Sequence, residues 1–108
     1  MKVEYNQGIL FVRLKGILDH NISREINQLL IPRILEQRIK YLVLNMYEVT
    51  DIDNFGLEAL LNAKCAIKTN KGKICLCELN DFLSRKLKSY RVKKTQNELN
   101  AINLIGEI

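Results

Sequence analysis

The run from Lys40 to Met46, Lys-Tyr-Leu-Val-Leu-Asn-Met, is apolar over nearly its whole length. A strand covered on both faces, as in the interior of an α/β sheet, carries such a run, whereas a half-solvated strand alternates apolar and polar residues. Shortly after it, Asp51-Ile-Asp-Asn-Phe-Gly56 reads as an acidic turn that opens directly into a helical pattern. A strand ending in a turn at a helix N-terminus presents free backbone N–H groups and a positive dipole end, a place suited to anion chemistry or switching.

The rest of the chain organises around that unit. Lys2 to Tyr5 and Ile9 to Lys15 read as strands joined by Asn6-Gln7-Gly8, a short sequence that suits a hairpin. In the second, Leu10, Val12 and Leu14 alternate with Phe11, Arg13 and Lys15, which predicts one buried face. Gly16-Ile-Leu-Asp-His20 leads into a helix for which Asn21 can act as cap, with Ile22, Ile26, Leu29 and Leu30 at helical spacing. Pro32 removes a backbone donor and crowds the Gln28 carbonyl, so a kink or break is expected over 28–32, with helix resuming to about Gln37. After the acidic turn, Leu57, Leu60, Leu61, Lys64 and Ile67 give the next helix its inward stripe, and Asn70-Lys-Gly72 supplies a stop. A strand over Lys73 to Leu79 precedes a short helix from Asp81 to about Lys88, capped by Asn80 or Asp81, with Phe82, Leu83 and Leu87 inward. A short strand at Arg91 to Lys93 and a final helix from Thr95 or Gln96, with Leu99, Ile102 and Ile105 inward, close the pattern. Strands that alternate with helices in this way predict a mixed sheet with helices mostly on one side.

Composition narrows the function classes. A chain of 108 residues that is 47% apolar fits one domain, 1–108, with a core that needs neither disulfides nor metals. The N-terminus has no signal-peptide pattern and no apolar run reaches a membrane span, which predicts a cytoplasmic protein. Cys65, Cys75 and Cys77 are odd in number and read as reduced thiols; Cys75 and Cys77 share one strand face, which favours core packing over a soft-metal site. The net charge of +5 is unevenly spread. Arg85, Lys86, Lys88, Arg91, Lys93 and Lys94 form a basic run, while Glu48, Asp51, Asp53 and Glu58 cluster around the turn.

Taken in order, Gly8-Ile-Leu-Phe-Val-Arg-Leu-Lys-Gly-Ile-Leu-Asp-His20, Ile39-Lys-Tyr-Leu-Val-Leu-Asn-Met46, Asp53-Asn-Phe-Gly-Leu57 and Gly72-Lys-Ile-Cys-Leu-Cys77 resemble the STAS domain, and within it the bacterial anti-sigma factor antagonists of the SpoIIAA type. The resemblance covers nearly the whole chain. It implies an α/β fold, with a mixed sheet of four to five strands and about four helices mostly packed on one side. It also implies a partner-switching protein that binds an anti-sigma factor serine kinase or another STAS protein, in transcription regulation during sporulation or stress, with no cofactor. In that family, phosphorylation of a serine in an Asp-Ser-Ser-Gly-like turn abolishes binding, because a phosphate adds about two negative charges at an interface already acidic.

Here the phosphoacceptor-equivalent position is Asn54. As an N-cap, asparagine is worth about 1 kcal/mol over alanine, so Asn54 is read as a structural cap that keeps the helix start and removes the hydroxyl. Phe55 stands where the family carries something small; it turns inward as core, the usual outcome for phenylalanine, or outward as a binding anchor. Asp19 and His20 match the family's partner-facing loop before the first helix. The implied partner surface is thus Asp19, His20, Asp53, Asn54, Phe55, Gly56 and Glu58. Thr50, Ser23, Ser84 and Ser89 are the hydroxyls nearest to consideration, and none occupies the matching position. The C-terminus departs from the family as well, with Lys88-Ser-Tyr-Arg-Val-Lys-Lys94 in place of a Ser-Gly and an apolar segment, so the last strand is expected to be short or absent.

Two other readings compete with the interaction protein. A small-ligand or nucleotide module would use the helix N-terminus near Asp53 to Gly56 as an anion site, against the local acids. Nucleic-acid binding through 85–94 would be salt-dependent and sequence-independent, with only Tyr90 available for stacking. His20 is the sole histidine, and no catalytic dyad, metal cluster or phosphate-cradling glycine loop points to an enzyme.

Overall fold

The computed structural model describes residues 1–106. Five strands form one sheet in the order β1-β2-β3-β4-β5: β1 Lys2–Asn6, β2 Ile9–Leu18, β3 Tyr41–Ile52, β4 Lys73–Cys77 and β5 Lys93–Thr95. β1 and β2 are antiparallel; every other neighbouring pair is parallel. The hairpin turns at Gln7 (φ 51°) and Gly8 (φ 84°), two left-handed residues in the pattern whose twist matches paired strands.

A helical run follows β2, comprising α1 His20–Glu25, a wide turn over Ile26–Leu30, and α2 Ile31–Glu36. The predicted break at Pro32 is this wide turn, in which the Ile31 N–H donates to the Ile26 carbonyl, five residues back. The run bends its bonding and continues. α3 Asn54–Thr69, α4 Asp81–Lys86 and α5 Glu98–Gly106 complete the fold. The run, α3 and α4 bury the larger core, in which Leu10, Val12 and Leu14 meet Ile26, Leu42, Leu44, Leu60 and Ile67. α5 covers the opposite face through Ala101 and Ile105, against Ile9, Phe11, Val43, Cys75 and Cys77. Two-sided cover is why the β3 run is uninterrupted, and why Ile9 and Phe11 are buried beside the alternating Leu10 and Val12.

Several sequence expectations are displaced. Asp19, not Asn21, caps α1, accepting from the Asn21 N–H at 3.0 Å. Leu29, Leu61, Phe82, Leu99 and Ile102 are exposed. The inward stripe of α3 keeps the expected Leu60 and Ile67 and is otherwise built from Gly56, Ala59, Ala63 and Ala66, small residues that let the helix lie close to the sheet. β3 does not end at Met46, since it carries on through the expected turn to Ile52 with two register shifts against β2. At the first shift the Asn45 side-chain oxygen accepts from the Tyr47 N–H at 2.9 Å, a local bond that holds the irregular backbone. β4 stops at Cys77, α4 at Lys86, and β5 lies two residues later than expected and is three residues long.

Two polar clamps fix the layers. The Asn70 amide donates to the carbonyls of Ile34 and Ile39 at 2.9 and 2.8 Å, tying α3 to the link between α2 and β3. Glu98 accepts from Arg13 at 2.7 and 2.8 Å and from Asn45 at 2.7 Å, pinning the start of α5 to β2 and β3. The Arg13 guanidinium holds the Glu98 carboxyl below the usual carboxylate range. Arg13 also bonds Glu4 at 2.9 Å, so one guanidinium joins β1, β2 and α5.

Candidate functional site

β2 and β3 end side by side, with Leu18 opposite Ile52 in the register. Each passes directly into a helix through an aspartate, so the starts of α1 and α3 are neighbours at one edge of the sheet. Asp19 caps α1, and Asp53 caps α3 by accepting from the Gly56 N–H at 3.0 Å. Asn54 is therefore the first residue of α3 rather than its cap, and it is exposed. The physical reason is that Asp53 has the extended backbone (φ −106°, ψ −173°) a cap requires, while Asn54 already lies within the helix.

The Leu18 carbonyl is the joint between the two helix starts. It accepts from the Asp53 N–H at 3.1 Å, and a Cβ at Gly56 would run into this same carbonyl. Only glycine lets α3 begin this close to β2. Above the joint, Phe55 is 58% exposed and so does not turn inward as core. Its ring meets His20 edge to face, with centroids 6.2 Å apart.

Asp19, His20, Asp53, Asn54, Phe55 and Gly56 thus come together on one edge, and Glu58 is exposed one turn further along α3. The acids around them are not equivalent. Asp51 accepts from Lys86 Nζ at 2.6 Å, and that bond holds its carboxyl below the ordinary value. Asp19 and Asp53 spend an oxygen each on capping, whereas Glu48 and Glu58 are exposed without an ion pair among the described residues. Because the Asp53 carboxylate already takes the Gly56 N–H, an incoming anion at α3 would meet a negative charge where it needs a donor.

Sequence reasoning missed Lys86 and Ile17 here. Lys86 was read as one cation of a linear basic run; the fold turns it back onto Asp51 and the Ile52 carbonyl, at 2.6 and 3.3 Å. Ile17, 55% exposed, pairs with Asp51 in the register, just before the Asp19 cap. Neither left a signal in the sequence: the Lys86–Asp51 pair spans 35 residues, and the apolar pattern of β2 does not mark Ile17 as exposed.

The comparisons with known proteins agree with this architecture. The family model of the STAS domain matches residues 1–101. The chain is 27% identical over 106 residues to the anti-sigma F factor antagonist of Paenibacillus polymyxa, covering 94% of this chain and 91% of that protein. The unphosphorylated anti-sigma factor antagonist SpoIIAA superposes with a TM-score of 0.82 at 19% identity, over 99% of this chain and 98% of that one. The TM1081 protein of Thermotoga maritima gives a TM-score of 0.84 at 17% identity, over 96% and 92%. At such identities the superpositions establish the fold, and the family model establishes descent: this chain belongs to the STAS domain family.

Proposed function

We propose that this protein is an anti-sigma factor antagonist-like partner-switching or scaffold protein of the cytoplasm, not an enzyme. It docks an anti-sigma factor kinase, or another STAS protein, on the edge formed by Asp19, His20, Asp53, Asn54, Phe55 and Glu58. The observation that carries this reading is the exposed Phe55 ring, braced by His20 at the joint of two helix starts. A solvent-facing aromatic held in one orientation loses little entropy on docking and supplies the apolar anchor that interface centres use. The antagonist relative from Paenibacillus polymyxa supports the partner class.

The same edge carries Asn54 in place of a hydroxyl. An amide there accepts no phosphoryl group, so the protein stays in the state that binds. The aspartate cap on the Gly56 N–H disfavours the alternative reading of this edge as a nucleotide or anion site.

Pull-down with the full chain from its native host is expected to recover a histidine-kinase-like ATPase or another STAS protein. Recovery of neither, at low salt and in repeated trials, overturns the reading. With the recovered kinase and ATP, residue 54 stays unlabelled in the parent, and Asn54→Ser gains label at that position.

A further inference from the structure

At the far end of α3 the fold gathers cations that are scattered in the sequence. Lys64 and Lys68 from α3, Lys73 at the start of β4, and Arg91 and Lys93 at the start of β5 line one groove of about 450 Å³. Phe55 and Lys68 are separated by about 20 Å along the helix axis, at 1.5 Å per residue, so this groove and the partner edge occupy opposite ends of the molecule. Among the described residues no carboxylate lines the groove, and none of the five cations forms an ion pair. The C-terminal dipole of α3 offsets only about half a charge. Two other members of the basic run are engaged elsewhere: Lys86 bonds Asp51, and Lys94 Nζ donates to the Tyr90 carbonyl at 2.7 Å.

The lining also says what kind of anion fits. A volume of this size suits a small ligand rather than a long polymer track. No aromatic lines the groove among the described residues; Tyr90, which lies beneath Lys64 with the Nζ 5.9 Å from its ring centroid, is 1% exposed and offers no face for a base to stack on. Four of the five cations are lysines, point charges that suit phosphate oxygens from several directions, where a carboxylate would be gripped by paired arginine forks.

We propose that this groove binds a compact polyphosphate anion through the ammonium groups of Lys64, Lys68, Lys73 and Lys93 and the guanidinium of Arg91. Sodium tripolyphosphate titrated into the isotopically labelled full chain at low salt is expected to shift amide resonances of 64–74 and 91–93 saturably, with one ligand per chain. The pair Lys68→Gln/Arg91→Gln weakens binding by about tenfold or more, since two charges near the ligand are removed. The pair Lys2→Gln/Lys15→Gln, on the exposed surface of β1 and β2, removes the same net charge and shifts affinity by less than about twofold, because those charges are distant and screened. ATP binds no more tightly than tripolyphosphate. Shifts spread over the whole surface without saturation, equal weakening in both variant pairs, or duplex DNA binding more tightly than tripolyphosphate at this groove would each overturn the proposal. Thermal melts of all variants, matching the parent, exclude unfolding as the cause.

Discussion

The ring of His20, the first residue of α1, meets the ring of Phe55, near the start of α3, at 6.2 Å between centroids and 70° between planes. Neither ring is buried, so the contact positions a surface more than it holds the core together. Phe55→Ala is expected to weaken partner binding by about tenfold or more, the loss of one interface anchor. Its cost in unfolding free energy is about 1 kcal/mol, the scale of an exposed aromatic pair, against about 3–5 kcal/mol for a core phenylalanine. Calorimetric titration of the partner and urea unfolding separate the two effects. A core-sized loss of stability would contradict an outward Phe55.

Gly56→Ala tests the joint itself. The added Cβ meets the Leu18 carbonyl, and backbone on both sides must move to make room. The cost is about 2 kcal/mol or more, the range of overpacked or strained core positions. Gly106→Ala, where no atom among the described residues lies within contact of the added Cβ, serves as the reference, with a change near zero. Comparable midpoints for the two variants in urea would show that α3 does not start against β2 as described.

Much of this arrangement was legible in the sequence because it depends on local chemistry. The hairpin at Gln7-Gly8, the Asn80 cap of α4, the inward Leu83 and Leu87, and the doubly covered β3 follow from turn residues, capping and periodicity. The helix starts were placed less well. Asp19-His-Asn21 and Asp53-Asn54 each offer adjacent residues able to cap, and the choice between them depends on where the preceding strand ends. β3 runs further than its apolar stretch because Val49 and Ile52 stay buried while its backbone shifts register, which breaks the period that sequence reasoning follows. On α5 the expected Ile105 is inward, but Ala101 accompanies it in place of Leu99 and Ile102; the Glu98 clamp that pins the helix start joins positions too distant in sequence to be paired by inspection. The basic groove was illegible for the same reason.

The three thiols are expected to fall into two classes. Cys65 is exposed on α3, whereas Cys75 and Cys77 are buried under α5. Burial pushes the Cys75 thiol up, and the Cys77 thiol up to about 12, so neither offers a thiolate near neutral pH. Ellman's reagent at pH 8 should therefore titrate one thiol quickly in the native protein and the remaining two only in denaturant. Fast reaction of two or more would place the sulfurs of β4 in contact with solvent.

Acid should loosen α5 before the larger core. The Glu98 carboxyl is held down chiefly by its hydrogen bonds to Arg13, with Asn45 adding to the effect, so its folded value lies below that of the unfolded chain. A group shifted in this direction contributes stability that is fully present above the unfolded value, near 4.3, and is lost as pH falls through the folded value. Glu98→Gln removes the charge while keeping the shape, and at pH 7 it is expected to cost about 1.5–3 kcal/mol, the scale of hydrogen bonds to a charged group. As pH falls through the folded value the parent loses the same charge by protonation, so the gap between parent and variant should narrow. Urea unfolding of both proteins over a series of falling pH measures that gap. A gap of constant size throughout the series would mean that the pairing of Arg13 with Glu98 is not what fastens α5 to the sheet.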